Sequence, residues 1–348
     1  MIDSLLNPWI RDLVPYSSAR NEFSGSAEIL LDANESWDGG NDGVNRYPDP
    51  QAFQLRKKME EVMGLPFSMT AIGNGSDEII DMLIRMFCAP RKDSVMIERP
   101  TYGTYSVFAH TSDVRVIDVP LSTSLDLDVE AMIEAIKTEK PKIVFICTPN
   151  NPTGKVYPLE SIKRIADANS GITAVDEAYL DFADGFASSL ALIEENPRVV
   201  VLRTFSKAYG LAGARLGILV SCPEIQKIFM KAKPPYNVSL LAQEAGIMAL
   251  EDMEKVRKRI EETKKRRDEF SSYLSSLGFV RHLFPSQANF ILIRVDDAKA
   301  LYDYLVSRGI VVRNRSSEPM LDNTIRITIG SEEEMRVLKE ALDAWNRA

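Results

Sequence analysis

Val199-Val200-Val201-Leu202-Arg203-Thr204-Phe205-Ser206-Lys207-Ala208 reads as a buried strand that ends by delivering a lysine into a cleft. That is a good place for an amine that bonds covalently to an aldehyde. The amine must be unprotonated to attack a carbonyl, and both desolvation and a nearby cation push its pKa down. Arg215, in Ala214-Arg215-Leu216-Gly217, lies eight residues further on and supplies that cation. The hydroxyls of Thr204 and Ser206, with Arg215, are what a phosphate beside the lysine would need. A Ser-Lys pair after a strand is also how an ordinary surface lysine reads, so the rest of the chain decides.

Two other segments supply what pyridoxal phosphate chemistry requires. Asp176-Glu177-Ala178-Tyr179 follows the apolar run Ile172-Thr173-Ala174-Val175, which puts an acid at another strand end. A buried carboxylate there can hold a pyridine nitrogen protonated, and Tyr179 can donate to a phenolate-like ring oxygen. Lys142-Ile143-Val144-Phe145-Ile146-Cys147 is a third buried strand, running into Thr148-Pro149-Asn150-Asn151-Pro152-Thr153-Gly154. Its prolines and glycine make a rigid turn from which the Asn151 amide could reach the same oxygen. Alone, Asn-Pro-Thr-Gly is also a plain turn, and a strand-end Asp is also a helix cap. The set Asn151, Asp176, Lys207, spaced 25 and 31 residues apart, is much harder to dismiss.

With these motifs the chain resembles the fold-type I pyridoxal phosphate enzymes of the aspartate aminotransferase superfamily. Within it, the chain is most similar to the histidinol-phosphate aminotransferases. The resemblance runs from Leu13-Val14-Pro15-Tyr16-Ser17-Ser18-Ala19-Arg20 to Ile325-Arg326-Ile327-Thr328-Ile329-Gly330. It implies an α/β fold: a large domain with a mainly parallel seven-stranded sheet between helices, plus a smaller α/β C-terminal domain. The expected division is 46–250 for the large domain, and 1–45 together with 251–348 for a discontinuous small one. It also implies pyridoxal 5'-phosphate as cofactor and a homodimer with shared active sites. The implied reaction interconverts L-histidinol phosphate and 2-oxoglutarate with imidazole acetol phosphate and L-glutamate, in histidine biosynthesis. A threonine-phosphate decarboxylase or an aromatic aminotransferase of the same fold stays open, and more remotely a noncatalytic cofactor-binding sensor.

Composition agrees and excludes other classes. A chain of 348 residues with 45% hydrophobic residues can bury two cores. A formal charge of −8 argues against a nucleic-acid binder, and Lys264-Lys265-Arg266-Arg267 lies among glutamates as a solvated helix face. Three cysteines embedded in apolar sequence suit a reducing cytoplasm. With two histidines and no paired-cysteine spacing, no metal site is expected. The start has no basic segment followed by an apolar one, and no apolar run approaches the roughly 18 residues of a membrane span, so a soluble, unexported protein is expected.

Along the chain, helices are expected over Gln51–Met63, stopping at Gly64, and over Ser76–Phe87, where Ile79, Ile80, Leu83, Ile84 and Phe87 mark a core face. Strands are expected near Val95, Val114, Ile143, Ile172, Val199 and Leu216, and long helices between Leu240 and Leu277. Beyond Gly278, strands at Phe290–Ile293, Ile310–Val312 and Ile325–Ile329, with helices near Leu301 and from Glu332, form a compact α/β unit.

The remaining candidates take their roles from the resemblance. Ile72-Gly73-Asn74-Gly75-Ser76-Asp77-Glu78 lacks the third glycine of a dinucleotide fingerprint. It suits instead a helix N-terminus whose Ser76 and Asp77 N–H groups hold a phosphate. Tyr102 would stack on the pyridine ring. Tyr47 resembles the residue that reaches the cofactor phosphate of the neighbouring subunit. Arg326 and Arg313 would contact the substrate anion, their forked groups serving carboxylate and phosphate alike. Tyr16, Asn34 and Tyr179 would help close the pocket, and Arg315 is an extra cation without an assigned role.

Overall fold

The computed structural model describes residues 2–15, 29–39 and 43–347. Its centre is a seven-stranded sheet of β1 (Thr70–Asn74), β2 (Ser94–Arg99), β3 (Arg115–Pro120), β4 (Ile143–Cys147), β5 (Ile172–Asp176), β6 (Val199–Thr204) and β7 (Leu216–Val220), in the order β1-β7-β6-β5-β4-β2-β3. The pairs from β3 through β6 run parallel, and β7 is antiparallel to both β6 and β1. Strands β4, β5 and β7 are buried at every residue, because helices cover both faces. That is why they read as continuous apolar runs rather than as alternating ones.

Parallel strands put their carboxyl ends on one edge, where ligands of such sheets bind. The ends of β4, β5 and β6 are neighbours there, which carries the Asn151 loop, Asp176 and the Lys207 loop to one place. Across from them the helix Gly75–Phe87 starts directly from β1. Its first turn lies against β7 because Gly217 has no side chain: a Cβ there would sit 2.4 Å from Ser76 N. β1 was not expected as a strand; its short, Gly-containing sequence hides a rung that β7 supplies residue by residue from Thr70↔Val220 to Asn74↔Leu216.

A second, four-stranded sheet follows, with β8 (Val280–Phe284), β9 (Phe290–Val295), β10 (Arg313–Asn314) and β11 (Thr324–Thr328) in the order β10-β11-β9-β8. Helices Ala298–Ser307 and Glu332–Asn346 close its core around Ile291, Ile293, Leu305, Ile325 and Leu342. Ile310–Val312 is not a strand; pairing begins only at Arg313, opposite Arg326. The helix Met253–Leu274 joins the two parts, with Val256 in the first core and Phe270 and Leu274 in the second.

The expected grouping of 1–45 with the smaller unit fails at the start of the chain. Ile2 and Leu6 are buried in the core of the large sheet. Asn7 fixes them there, its N–H donating to Met86 O at 2.8 Å and its Nδ2 to Cys88 O at 3.2 Å. Those carbonyls end a helix and lack partners within it, so Asn7 satisfies what the helix leaves open. Among the described residues, no helix is long and apolar enough to cross a membrane.

Candidate active site

One cleft at the carboxyl edge is lined by Ser76, Asp77, Tyr102, Asn151, Asp176, Tyr179, Thr204, Ser206, Lys207 and Arg215, joined by Cys147, Ala178 and Ala212. Lys207 leaves the end of β6 through a turn held by Thr204, whose Oγ1 accepts from Ser206 N and donates to Leu216 O, both at 3.1 Å. Burial lowers the Lys207 pKa, and the Arg326 cation is the second cause, ahead of Arg215; Asp176 and Asp77 work the other way. Burial is thus the first cause, as expected, and the chief cation is a residue from the other sheet rather than Arg215. Lys207 Nζ lies 5.4 Å from the centre of the Tyr179 ring.

Asp176 closes β5 with its carboxylate buried. Tyr105 Oη donates to its Oδ2 at 2.6 Å and Ala178 N to its Oδ1 at 3.1 Å. Burial lifts its pKa from 3.8 to about 6 against those two bonds. A desolvated carboxylate of this kind is stabilised by a cationic N–H facing it. Tyr105 is itself fixed by stacking on Phe145, ring centres 4.8 Å apart, and by an edge contact with Tyr102 at 5.5 Å.

Asn151 comes from the loop after β4, and its Oδ1 accepts from Arg326 Nη1 of β11. The Arg326 guanidinium also stands over Phe290, 5.2 Å from the ring centre, and its Nε is buried without a partner among the described residues. Burial lowers its pKa, as do Arg315 and Arg313, while Tyr179 raises it. An anion brought to it would relieve both the orphaned donor and the crowding of cations.

The opposite end of the cleft suits a phosphate. The first turn of helix Gly75–Phe87 presents Ser76 and Asp77, and Gly75 is at φ +80, where a Cβ would come within 2.4 Å of Arg215 Nη2. Arg215 Nη2 meets Asp77 Oδ2 at 3.1 Å, and Tyr102 Oη donates to Asp77 Oδ1 at 3.0 Å. The Asp77 side chain therefore orients both the guanidinium and the tyrosine ring, a task the backbone reading of Asp77 did not include. A helix N-terminus, two hydroxyls and a guanidinium at one end, a buried acid in the middle and a lysine beside it match the phosphate, ring nitrogen and aldehyde of pyridoxal phosphate.

Of the expected residues, Asn34, Tyr47 and Arg313 do not line this cleft, and Arg326 meets it through its hydrogen bond to Asn151. Asn34 and Tyr47 line a different hollow, with Arg46 and Leu241, and the Tyr47 ring stacks on Tyr236 at 4.4 Å. Arg313 is exposed on β10, directly opposite Arg326, and does not line the cleft. Tyr16 lies outside the described residues. Arg315, left without a role, pairs with Glu318 at 3.0 Å. Sequence reasoning missed Tyr105 and Cys147. Tyr105 follows Tyr102 by three residues, yet nothing local says that it meets an acid 71 residues away.

Residues 19–342 match the family described as aminotransferase class I and II. A histidinol-phosphate aminotransferase of Cytophaga hutchinsonii is 45% identical over 99% of both chains. One from Christiangramia forsetii is 41% identical over 98% of this chain and 97% of its own. Among solved structures, the histidinol-phosphate aminotransferase of Sinorhizobium meliloti in complex with pyridoxal-5'-phosphate superposes with a TM-score of 0.80 at 27% identity, covering 87% of this chain and 84% of that one.

Proposed function

The chain belongs to the aminotransferase class I and II family, and on that premise we propose that it transfers the amino group between L-histidinol phosphate and 2-oxoglutarate in histidine biosynthesis. The observation that carries the reading is the meeting of Lys207, Asp176 and Asn151 in one cleft, with Arg326 hydrogen-bonded to Asn151. Pyridoxal phosphate supplies the aldehyde that links to an amine and the ring that takes up the electrons of the broken bond.

The chain's own residues do the rest. Ser76, Asp77, Thr204, Ser206 and Arg215 hold the phosphate end. Asp176 would keep a proton on the ring nitrogen, and Asn151 and Tyr179 would donate to the ring oxygen. Lys207 Nζ would be the amine to which the aldehyde links. Its free amine would hold and move the proton leaving the substrate carbon, for which its lowered pKa suits it. Arg326 would hold the substrate anion and so fix the orientation of the reacting carbon. Arg313, opposite Arg326 in the second sheet, would add a second cation for the substrate anion in the same reading.

We propose further that two copies assemble in the cytoplasm, with Tyr47 reaching the partner's cofactor phosphate. In support, Tyr47 is half exposed and lines a hollow other than its own chain's cleft, and Trp37, Leu241 and Met248 are exposed apolar side chains.

The test is direct. Purified yellow protein given L-histidinol phosphate and 2-oxoglutarate should form glutamate, and should do so faster than with phenylalanine. Release of carbon dioxide, or a preference for phenylalanine, would replace the assignment.

A further inference from the structure

Glu98 is buried at the join between two loops of the cleft without lining the cleft itself. The β2–β4 ladder ends at Ile97 opposite Phe145. Past that rung, Cys147 N–H finds its acceptor in a side chain, donating to Glu98 Oε1 at 2.8 Å. The same oxygen accepts from Thr101 Oγ1 at 3.0 Å and from Asn150 Nδ2 at 3.3 Å. Asn150 Nδ2 also reaches Pro100 O at 3.3 Å, and Asn150 Oδ1 accepts from Thr153 Oγ1 at 3.0 Å. One carboxylate oxygen thus gathers the loop that carries Tyr102 and the loop that carries Asn151.

We infer that Glu98 is a positioning residue for amino transfer, holding Tyr102 and Asn151 through Oε1 at the separation at which they receive the cofactor ring. The inference rests on reading the cleft as the pyridoxal phosphate site. Accepting three hydrogen bonds at Oε1 needs no charge. Burial pushes the carboxyl up to about 7, and Oε2 has no partner among the described residues, so a proton there leaves all three bonds in place. Glutamine keeps the accepting oxygen, whereas leucine strands three buried donors.

The experiment compares wild type with Glu98→Gln, Glu98→Leu and Thr101→Val. Three quantities are read: the thermal midpoint, the dissociation constant of pyridoxal phosphate from the apoprotein, and the pH midpoint of the visible absorption change of the lysine-bound cofactor. Glu98→Leu should weaken cofactor binding about tenfold or more, the cost of stranded donors. It should also raise the pH midpoint by about one unit, because a displaced Asn151 no longer stabilises the ring oxygen as an anion. Glu98→Gln should stay within about threefold of wild type.

A Glu98→Leu protein with a lower thermal midpoint but wild-type affinity and absorption would reduce Glu98 to core filling and overturn the inference. So would a Glu98→Gln protein that fails like Glu98→Leu. Should Glu98→Leu not fold, Thr101→Val decides: it deletes one donor without changing shape, and about a threefold weaker cofactor affinity is expected. No change there overturns the inference. A wild-type protein that binds no pyridoxal phosphate would instead sink the parent reading, a separate and recognisable result.

Discussion

Arg326 Nη1 donates to Asn151 Oδ1 across 175 residues of chain, tying the second sheet to the floor of the cleft in the first. The group assigned to the substrate anion and the group assigned to the ring oxygen are therefore one hydrogen-bonded unit. Substrate binding at Arg326 has a direct route to the cofactor's electronics, and relaxation of either residue disturbs both.

Arg326→Lys should show this. Lysine keeps the charge but loses the planar fork, so kcat/KM should fall about 100-fold, with KM raised for both the phosphorylated amine and 2-oxoglutarate. Steady-state kinetics with each substrate varied in turn measures it. An unchanged KM for 2-oxoglutarate would remove Arg326 from the anion site.

Lys207→Ala should abolish turnover and the visible band, and borohydride should no longer tag the chain with cofactor. Added pyridoxal phosphate should still bind, because the phosphate end and Asp176 are untouched. An active alanine variant would refute the covalent role.

Asp176 makes the apoprotein's stability depend on pH in a stated direction. Its pKa in the fold, about 6, lies above the ordinary 3.8, so the fold prefers the protonated form. Its contribution is fully present below the ordinary value and is lost as pH rises through about 6, on the order of 1–3 kcal/mol. Urea unfolding of the apoprotein at pH 4 and pH 7 should show that loss in wild type and not in Asp176→Asn, as a difference between the two proteins. Loading the cofactor should reduce it, because a cationic ring nitrogen favours the carboxylate.

Glu177, next to Asp176 in the motif, has a structural task. It accepts from Arg203 Nη2 at 3.1 Å, Ser188 Oγ at 2.6 Å and Ser189 N at 2.6 Å, and its side chain is almost wholly buried. Glu177→Ala should cost about 3 kcal/mol, because it leaves a largely buried guanidinium and a buried N–H without partners. Denaturant midpoints at constant slope measure it. Cofactor affinity in the surviving folded fraction should change little.

Mixed dimers test the shared site. Tyr47→Ala and Lys207→Ala proteins should each be impaired alone, yet a heterodimer of the two holds one site with both residues intact. Co-refolding should restore activity. Restoration that fails while dimers form would return Tyr47 to its own chain.

The parts that were legible in the sequence were those that depend on short stretches. Apolar runs such as Ile143–Cys147 and Val199–Leu202 announce buried parallel strands, because covered strands need apolar residues on both faces. The residues directly after them, Asn151, Asp176 and Lys207, follow to the same edge as a consequence of parallel order. β1 was missed because five residues containing Gly73 carry too little pattern, and Ile310–Val312 was misread because an apolar run can exist without a neighbour to pair with. Tertiary structure alone decided that Tyr105 supports Asp176, that Arg326 grips Asn151, that Glu98 gathers two loops, and that Ile2 and Leu6 belong to the large core. Those contacts join residues 49 to 175 positions apart, and their geometry is set by strand register and close packing rather than by local preference.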